Sequence, residues 1–153
     1  LCADCEPAGD CRDGLVPVCP AMRGLGFSPA APGGYAQQVR VRASQALRLP
    51  DNVSLHDGAL LEPLAVAAHA VALARIGPGM RVLVIGAGPI GLGVAALARL
   101  AGADHVVVSE PVAGRRGRAL TVGATAVIDP LAEDPAPVFR AADVIIECVG
   151  IPG

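Results

Sequence analysis

A chain of 153 residues, 53% of them hydrophobic and 17% charged, carries enough apolar material to bury a core and lies outside the composition of disordered segments. A formal charge of −2 and three aromatics, Phe27, Tyr35 and Phe139, offer neither a basic stripe nor a set of stacking rings, so nucleic acid is not an expected partner. The longest apolar stretch is broken by Arg81, Pro89, Arg99 and repeated glycines, and no signal-like segment starts the chain. No membrane association is expected, and the predicted location is cytoplasmic.

In chain order, residues 1–32 are rich in Cys, Pro, Asp and Gly with little periodicity, which predicts a loop-like lobe held by something other than a core. Cys2, Cys5, Cys11 and Cys19 fall within it, and four thiolates suit a tetrahedral structural zinc. In a reducing cytosol zinc is favoured over disulfides, with free or redox-active thiols as the alternative. Residues 35–42 alternate Val with Arg, as a half-exposed strand does. Asp51 or Ser54 can cap the helical segment next in the chain. Residues 59–76 are apolar on nearly every face, predicting one buried helix or two joined near Pro63, ended by Gly77-Pro78-Gly79.

The pattern then becomes regular: strand 81–85, helix 90–101, strand 105–109, helix 115–122, strand 126–128, a short helix near Val138, and strand 144–149. Strands alternating with helices predict an α/β fold with a doubly wound parallel sheet. The chain begins inside a cysteine cluster and stops after an apolar strand, and it is read as an internal piece of a longer protein.

The most informative stretch is Gly86-Ala87-Gly88-Pro89-Ile90-Gly91, which comes after one strand and opens the next helix. The first glycine permits a tight turn, the second lets backbone approach a pyrophosphate, and the third lets helix pack on sheet. The phosphates would sit on free N–H groups at the helix start. Glycines that merely relieve crowding are the competing explanation. Glu110 ends the next strand, nineteen residues after Gly91, where a carboxylate can accept from both ribose hydroxyls of NAD and repel a 2′-phosphate. Arg115 and Arg116 could instead pair with such a phosphate, or form a solvated helix face, so NAD is expected and NADP is the alternative. Cys148, in an apolar strand, is read as a packing residue.

Taken together, these residues resemble the zinc-containing medium-chain dehydrogenases, in particular the polyol branch of sorbitol, butanediol and threonine dehydrogenases. The resemblance covers essentially the whole chain. It is carried by Cys11-Arg12-Asp13-Gly14, Cys19-Pro20, Gly33-Gly34-Tyr35-Ala36, the run Glu62-Pro63-Leu64-Ala65-Val66-Ala67-Ala68-His69, the glycine turn, and Glu147-Cys148-Val149-Gly150. One departure is the cysteine spacing: the family places two residues between the middle lobe cysteines, and here five separate Cys5 from Cys11.

The resemblance implies a partial GroES-like β catalytic domain over residues 1–54, including the lobe, a connecting helical segment over 55–79, and a partial Rossmann domain over 80–153. It makes Cys2, Cys5, Cys11 and Cys19 structural zinc ligands. It makes Gly86, Gly88, Pro89, Ile90, Gly91, Glu110 and Arg115 cofactor contacts, with Val149 and Gly150 bordering the cofactor. It places Glu62 at the catalytic zinc, where the polyol branch has Glu; a carboxylate favoured by the helix dipole just before Pro63 is the competing explanation. His69, two turns along, is expected to be packed and hydrogen-bonded, while His56 and His105 look like loop and strand-edge residues. The implied full-length activity is zinc-assisted hydride transfer between a secondary alcohol or polyol and NAD, in a homo-oligomer, with this fragment alone inactive. A non-enzymatic NAD-binding or redox-sensing module and a zinc-free medium-chain reductase are the alternatives.

Overall fold

The computed structural model describes residues 24–27, 29, 32–41, 43 and 46–150. Cys2, Cys5, Cys11 and Cys19, and with them the expected zinc lobe, lie outside the described residues. The chain divides into two compact units, Leu1–Asp51 and Asn52–Gly153.

In the first unit the strand expected over 35–42 does not form. Its described residues are bends and irregular backbone, and Val39 and Val41 are exposed. Alternation specifies which side chains face a core, but a strand also needs a neighbour to take its N–H and C=O groups. Among the described residues of this unit there is none.

The second unit opens with α1, Leu55–Gly58, whose N-cap Ser54 accepts the Asp57 N–H on its hydroxyl at 3.0 Å. After a turn at Ala59 and Leu60 comes α2, Leu61–Leu73. The break therefore precedes Pro63, which lies in the first turn of α2, where a missing N–H costs no helical bond. α2 is apolar but not buried all round. Only Ala67 and Val71 are buried, while Leu61, Val66 and Leu73 are exposed. It ends earlier than the glycines suggested, because Arg75 turns left-handed at φ 51° and Ile76 N–H bonds back to the Val71 carbonyl at 3.3 Å.

The remaining elements are β1 (Arg81–Ile85), α3 (Pro89–Leu100), β2 (His105–Ser109), α4 (Ala113–Val122), β3 (Ala126–Ile128), α5 (Ala136–Ala141) and β4 (Val144–Glu147). The four strands form one parallel sheet in the order β3-β2-β1-β4, with Val84 opposite both Val108 and Ile146. Val82, Leu83 and Val84 are all buried, as expected of a central parallel strand covered on both faces. Val94, Ala95 and Ala98 of α3 are fully buried in the core beside them. Gly93 lets α2 approach α3, since a Cβ there would lie 3.0 Å from Ala67 Cβ.

β4 stops two residues short of its expected end. The Glu147 carboxylate bends back to accept the N–H groups of Val149 at 2.5 Å and Gly150 at 2.9 Å, which diverts the backbone from the ladder. Among the described residues, no helix is long and apolar enough to cross a membrane.

Candidate functional site

The strand order places β2 on one side of β1 and β4 on the other: the chain runs outward from β1 to β2 and β3 and then crosses back past β1 to β4, so the order reverses beside β1. In open α/β sheets this switch point leaves a crevice where ligands bind. Here a cleft of about 540 Å³ opens at that end, bordered by Gly86, Gly88, Glu110, Val112, Arg115, Phe139, Cys148 and Val149.

The three glycines of the turn have different physical causes. Gly86 has φ +96°, and a Cβ there would meet Val149 Cγ2 at 2.8 Å. Gly91 is buried in the first turn of α3, and its Cβ would overlap the Gly86 carbonyl oxygen. Gly88 is extended, with nothing within 4 Å of where a Cβ would stand. Crowding thus explains Gly86 and Gly91 but not Gly88, whose bare backbone faces open space.

Gly88 is the N-cap of α3 and supplies no side-chain cap, and Pro89 has no N–H to satisfy. The helical ladder begins with Leu92 N–H to the Gly88 carbonyl at 2.9 Å, leaving the N–H groups of Ile90 and Gly91 outside it. Such a helix start favours an anion through its free donors and its dipole.

Across the cleft Glu110 is only 3% exposed. Its Oε2 accepts the Ala87 N–H at 2.8 Å and its Oε1 accepts the Val112 N–H at 2.9 Å. A carboxylate has about four acceptor positions, so two of them remain. The Glu110 backbone is also held, its N–H donating to Ile128 at 3.1 Å and its carbonyl accepting from Arg116 Nη1 at 2.7 Å.

The two arginines separate clearly. α4 begins at Ala113, two residues earlier than expected, so Arg115 and Arg116 are its third and fourth residues, still in the first turn. A cation there opposes the helix dipole, so helix stability does not account for either. Arg116 is 20% exposed and pairs with Asp129 at 3.0 Å. Arg115 is 56% exposed, with Nη1 4.0 Å from Glu110 Oε2, at the rim of the cleft.

At the opposite end of the crevice Cys148 is half-buried, and its thiol pKa is raised by burial and then by the charge of Glu147. A thiol so disposed is a poor nucleophile, consistent with packing. Val149 is partly exposed beside Gly86, and Gly150 comes directly after it. A second groove, of about 460 Å³, lies at the amino ends of the strands against Arg81, His105 and Thr125, away from all these groups.

Glu62 is the second residue of α2, exposed in its first turn. His69 is also exposed rather than packed, because α2 buries only the stripe through Ala67 and Val71. His56 lies in α1, not in a loop, and His105 opens β2. Among the described residues, no three His, Cys, Asp or Glu side chains gather to hold a metal. One carboxylate does not make a zinc site, which takes three or four protein ligands. The described residues therefore fit a dinucleotide but do not by themselves fit zinc.

Spacing pointed to the glycines and Glu110, and the family resemblance to Arg115. Both missed the Ala87 N–H that anchors Glu110 and the Arg116–Asp129 pair. These partners come from different elements, and no periodicity links them.

A parallel sheet with a glycine turn and a buried carboxylate at its switch point defines a Rossmann-type dinucleotide-binding domain. Residues 89–153 match the family described as zinc-binding dehydrogenase. The chain is 35% identical over 156 residues to L-idonate 5-dehydrogenase of Vitis vinifera, covering 95% of this chain and 42% of that protein. It is 39% identical over 118 residues to a sorbitol dehydrogenase of Arabidopsis thaliana, covering 77% and 32%. A zinc-binding dehydrogenase structure from Sinorhizobium meliloti bound to NADP superposes with a TM-score of 0.87 at 39% identity, covering 96% of this chain and 45% of that one. The chain belongs to the zinc-containing medium-chain dehydrogenase family, with relatives among its polyol dehydrogenases. It spans less than half the length of these relatives.

Proposed function

We propose that this chain supplies the cofactor-binding half of an NAD-dependent dehydrogenase acting on a secondary alcohol or polyol. The observation that carries the proposal is the pairing of Gly88, open to the cleft, with the buried and pre-anchored Glu110 across from it. In this reading the pyrophosphate lies against Gly88, Pro89 and the N–H groups of Ile90 and Gly91. Glu110 accepts from the ribose hydroxyls, Arg115 lies beside the adenosine, and Val149 and Gly150 border the cofactor's path beyond Gly86.

When bound, the nicotinamide accepts or returns the hydride of the alcohol carbon. The chain's own residues hold the cofactor so that little reorganisation is needed when the substrate arrives. The Glu110 carboxylate is fixed by two backbone N–H groups before any ligand arrives, and a charge in that position repels a 2′-phosphate. This supports NAD over NADP, although the Sinorhizobium protein binds NADP.

The family resemblance extends the proposal. It assigns zinc to Cys2, Cys5, Cys11 and Cys19, and a place at a second zinc to Glu62. It also makes residues 1–54 part of a GroES-like domain, joined through 55–79 to the Rossmann portion over 80–153. A cytoplasmic homo-oligomer with a small-molecule alcohol substrate belongs to the same reading.

The test is titration of the full-length protein with NADH and NADPH, then turnover on polyols and sugar acids with a secondary hydroxyl. NADH should bind more tightly than NADPH and support turnover. Failure to bind either dinucleotide would refute the proposal.

A further inference from the structure

Arg115 and Arg116 are adjacent in sequence, but only Arg115 is available to a ligand. The Arg116 guanidinium reaches from the end of β2, where Nη1 donates to the Glu110 carbonyl at 2.7 Å, to the end of β3, where it pairs with Asp129 Oδ2 at 3.0 Å. Asp129 is itself held, since its Oδ1 accepts the Leu131 N–H at 3.0 Å. The Glu110 N–H is bonded to Ile128, the residue before Asp129, so β2 and β3 are joined at this level by backbone as well as by the arginine. One of the two anchors of the Glu110 carboxylate, the Val112 N–H, belongs to the short link between β2 and α4 that Arg116 ties down.

We propose that Arg116, through Asp129, is a positioning residue that sets how strongly Glu110 reads the ribose 2′-hydroxyl, and that it takes no part in binding a 2′-phosphate. The inference rests on the reading of Glu110 as a ribose ligand. Its physical basis is that a hydrogen-bond acceptor discriminates only when its supporting partners hold it to a fraction of an ångström. Without Arg116, the Glu110 carbonyl and the Asp129 carboxylate lose a shared cation. The link through Val112 then keeps only backbone bonds, from the Glu110 N–H to Ile128 and from the Arg115 and Arg116 N–H groups to the Val112 carbonyl, and the carboxylate aim loosens.

The readout is the ratio of affinities of the full-length protein for adenosine 5′-monophosphate and its 2′-deoxy analogue. A fold defect that left the Glu110 aim intact would weaken both ligands and leave this ratio unmoved. The wild-type protein should prefer the ribonucleotide by about 10-fold, the scale of one hydrogen bond to a charged group. Arg116→Met should bring the ratio close to 1, and Arg116→Lys should restore part of it. Binding of 2′,5′-ADP should respond in the opposite sense, weakened chiefly by Arg115→Ala. Should Arg116→Met fold poorly, Asp129→Asn removes the partner charge and should lower the ratio in the same direction. A folded Arg116→Met or Asp129→Asn with the wild-type ratio would overturn the inference while leaving the cofactor proposal standing. A wild-type protein that does not distinguish the two nucleotides would overturn the ribose reading of Glu110 and the inference with it.

Discussion

The carboxylate of Glu110 accepts the backbone N–H of Ala87 at 2.8 Å, joining two residues 23 positions apart across the ends of adjacent strands. Ala87 is the middle of the Gly-Ala-Gly turn, so one bond couples the proposed ribose reader to the proposed phosphate cradle. Both ends are buried, Ala87 at 2% and Glu110 at 3% exposure. The two halves of the cleft are thus joined by the protein's own backbone, and removing Glu110 acts on both at once.

Glu110→Ser should therefore weaken NAD binding by about 10-fold or more, on the scale of hydrogen bonds to an ionised group. It should also raise the efficiency of NADP relative to NAD, because the repelling charge is gone and Arg115 stays nearby. Adding Arg115→Ala should cancel the NADP gain. Cofactor titrations of the three proteins check this, with circular dichroism to establish folding. An unchanged NADP to NAD ratio in Glu110→Ser would remove Glu110 from cofactor choice.

Gly91→Ala should destabilise the second unit, because the added Cβ would overlap the Gly86 carbonyl oxygen in a buried turn. Overpacking of this kind costs roughly 1–3 kcal/mol. Gly88→Ala, with no neighbour within 4 Å, should leave stability near wild type and lower dinucleotide affinity instead. Urea denaturation and NADH titration of both variants separate the effects. Equal stabilities for the two variants would contradict the geometry.

Arg81 and Asp143 hold the amino ends of β1 and β4 through a pair at 3.0 Å, and the Arg81 N–H also donates to Asp143 at 2.8 Å. The Arg81 side-chain hydrogen bond, then its backbone N–H, lowers the Asp143 pKa, with the Arg81 charge adding to them. A depressed carboxylate stabilises the fold at pH above its unfolded value of about 3.9, and the contribution fades as pH falls below that toward the folded pKa. Asp143→Asn should flatten the pH dependence of the urea midpoint in that acid window alone. The difference should shrink in high salt, since both groups are exposed. Parallel pH curves for wild type and variant would show that the pair does not titrate with folding.

Glu62→Gln separates a place at a metal from a helix-start carboxylate. Loss of a charge favourable to the α2 dipole alone costs about 0.3–1 kcal/mol and leaves turnover near normal. Loss of a carboxylate at zinc should lower metal content and depress turnover by about 10-fold or more while the fold persists. Zinc content and turnover of the full-length variant decide between them. Normal values for both would defeat the metal assignment.

Much of the second unit could be read from local pattern. β1, β2 and β3 fall where the apolar runs predicted, and α3 starts one residue earlier than expected, at Pro89, because proline is well suited to a first helical position. The glycine spacing and the position of Glu110 also pointed to the cleft before any contact was known. Such features were legible because strands buried on both faces and tight turns constrain residue type directly.

Other features depended on partners that spacing cannot name. The alternation at 35–42 suggested a strand, yet pairing needs a neighbour, and the described residues there remain irregular. β4 was expected to reach Val149, but after the Cys148 N–H bonds to the Ile85 carbonyl the Glu147 side chain accepts the amides of Val149 and Gly150. Arg115 and Arg116 looked equivalent in sequence, and only the approach of β3, which brings Asp129 to one of them, gave them different work. Chemical type and spacing along the chain determined the turn, the sheet and the carboxylate. Which polar groups became each other's partners was decided by tertiary structure, because those bonds join residues that only the parallel sheet brings within hydrogen-bond distance.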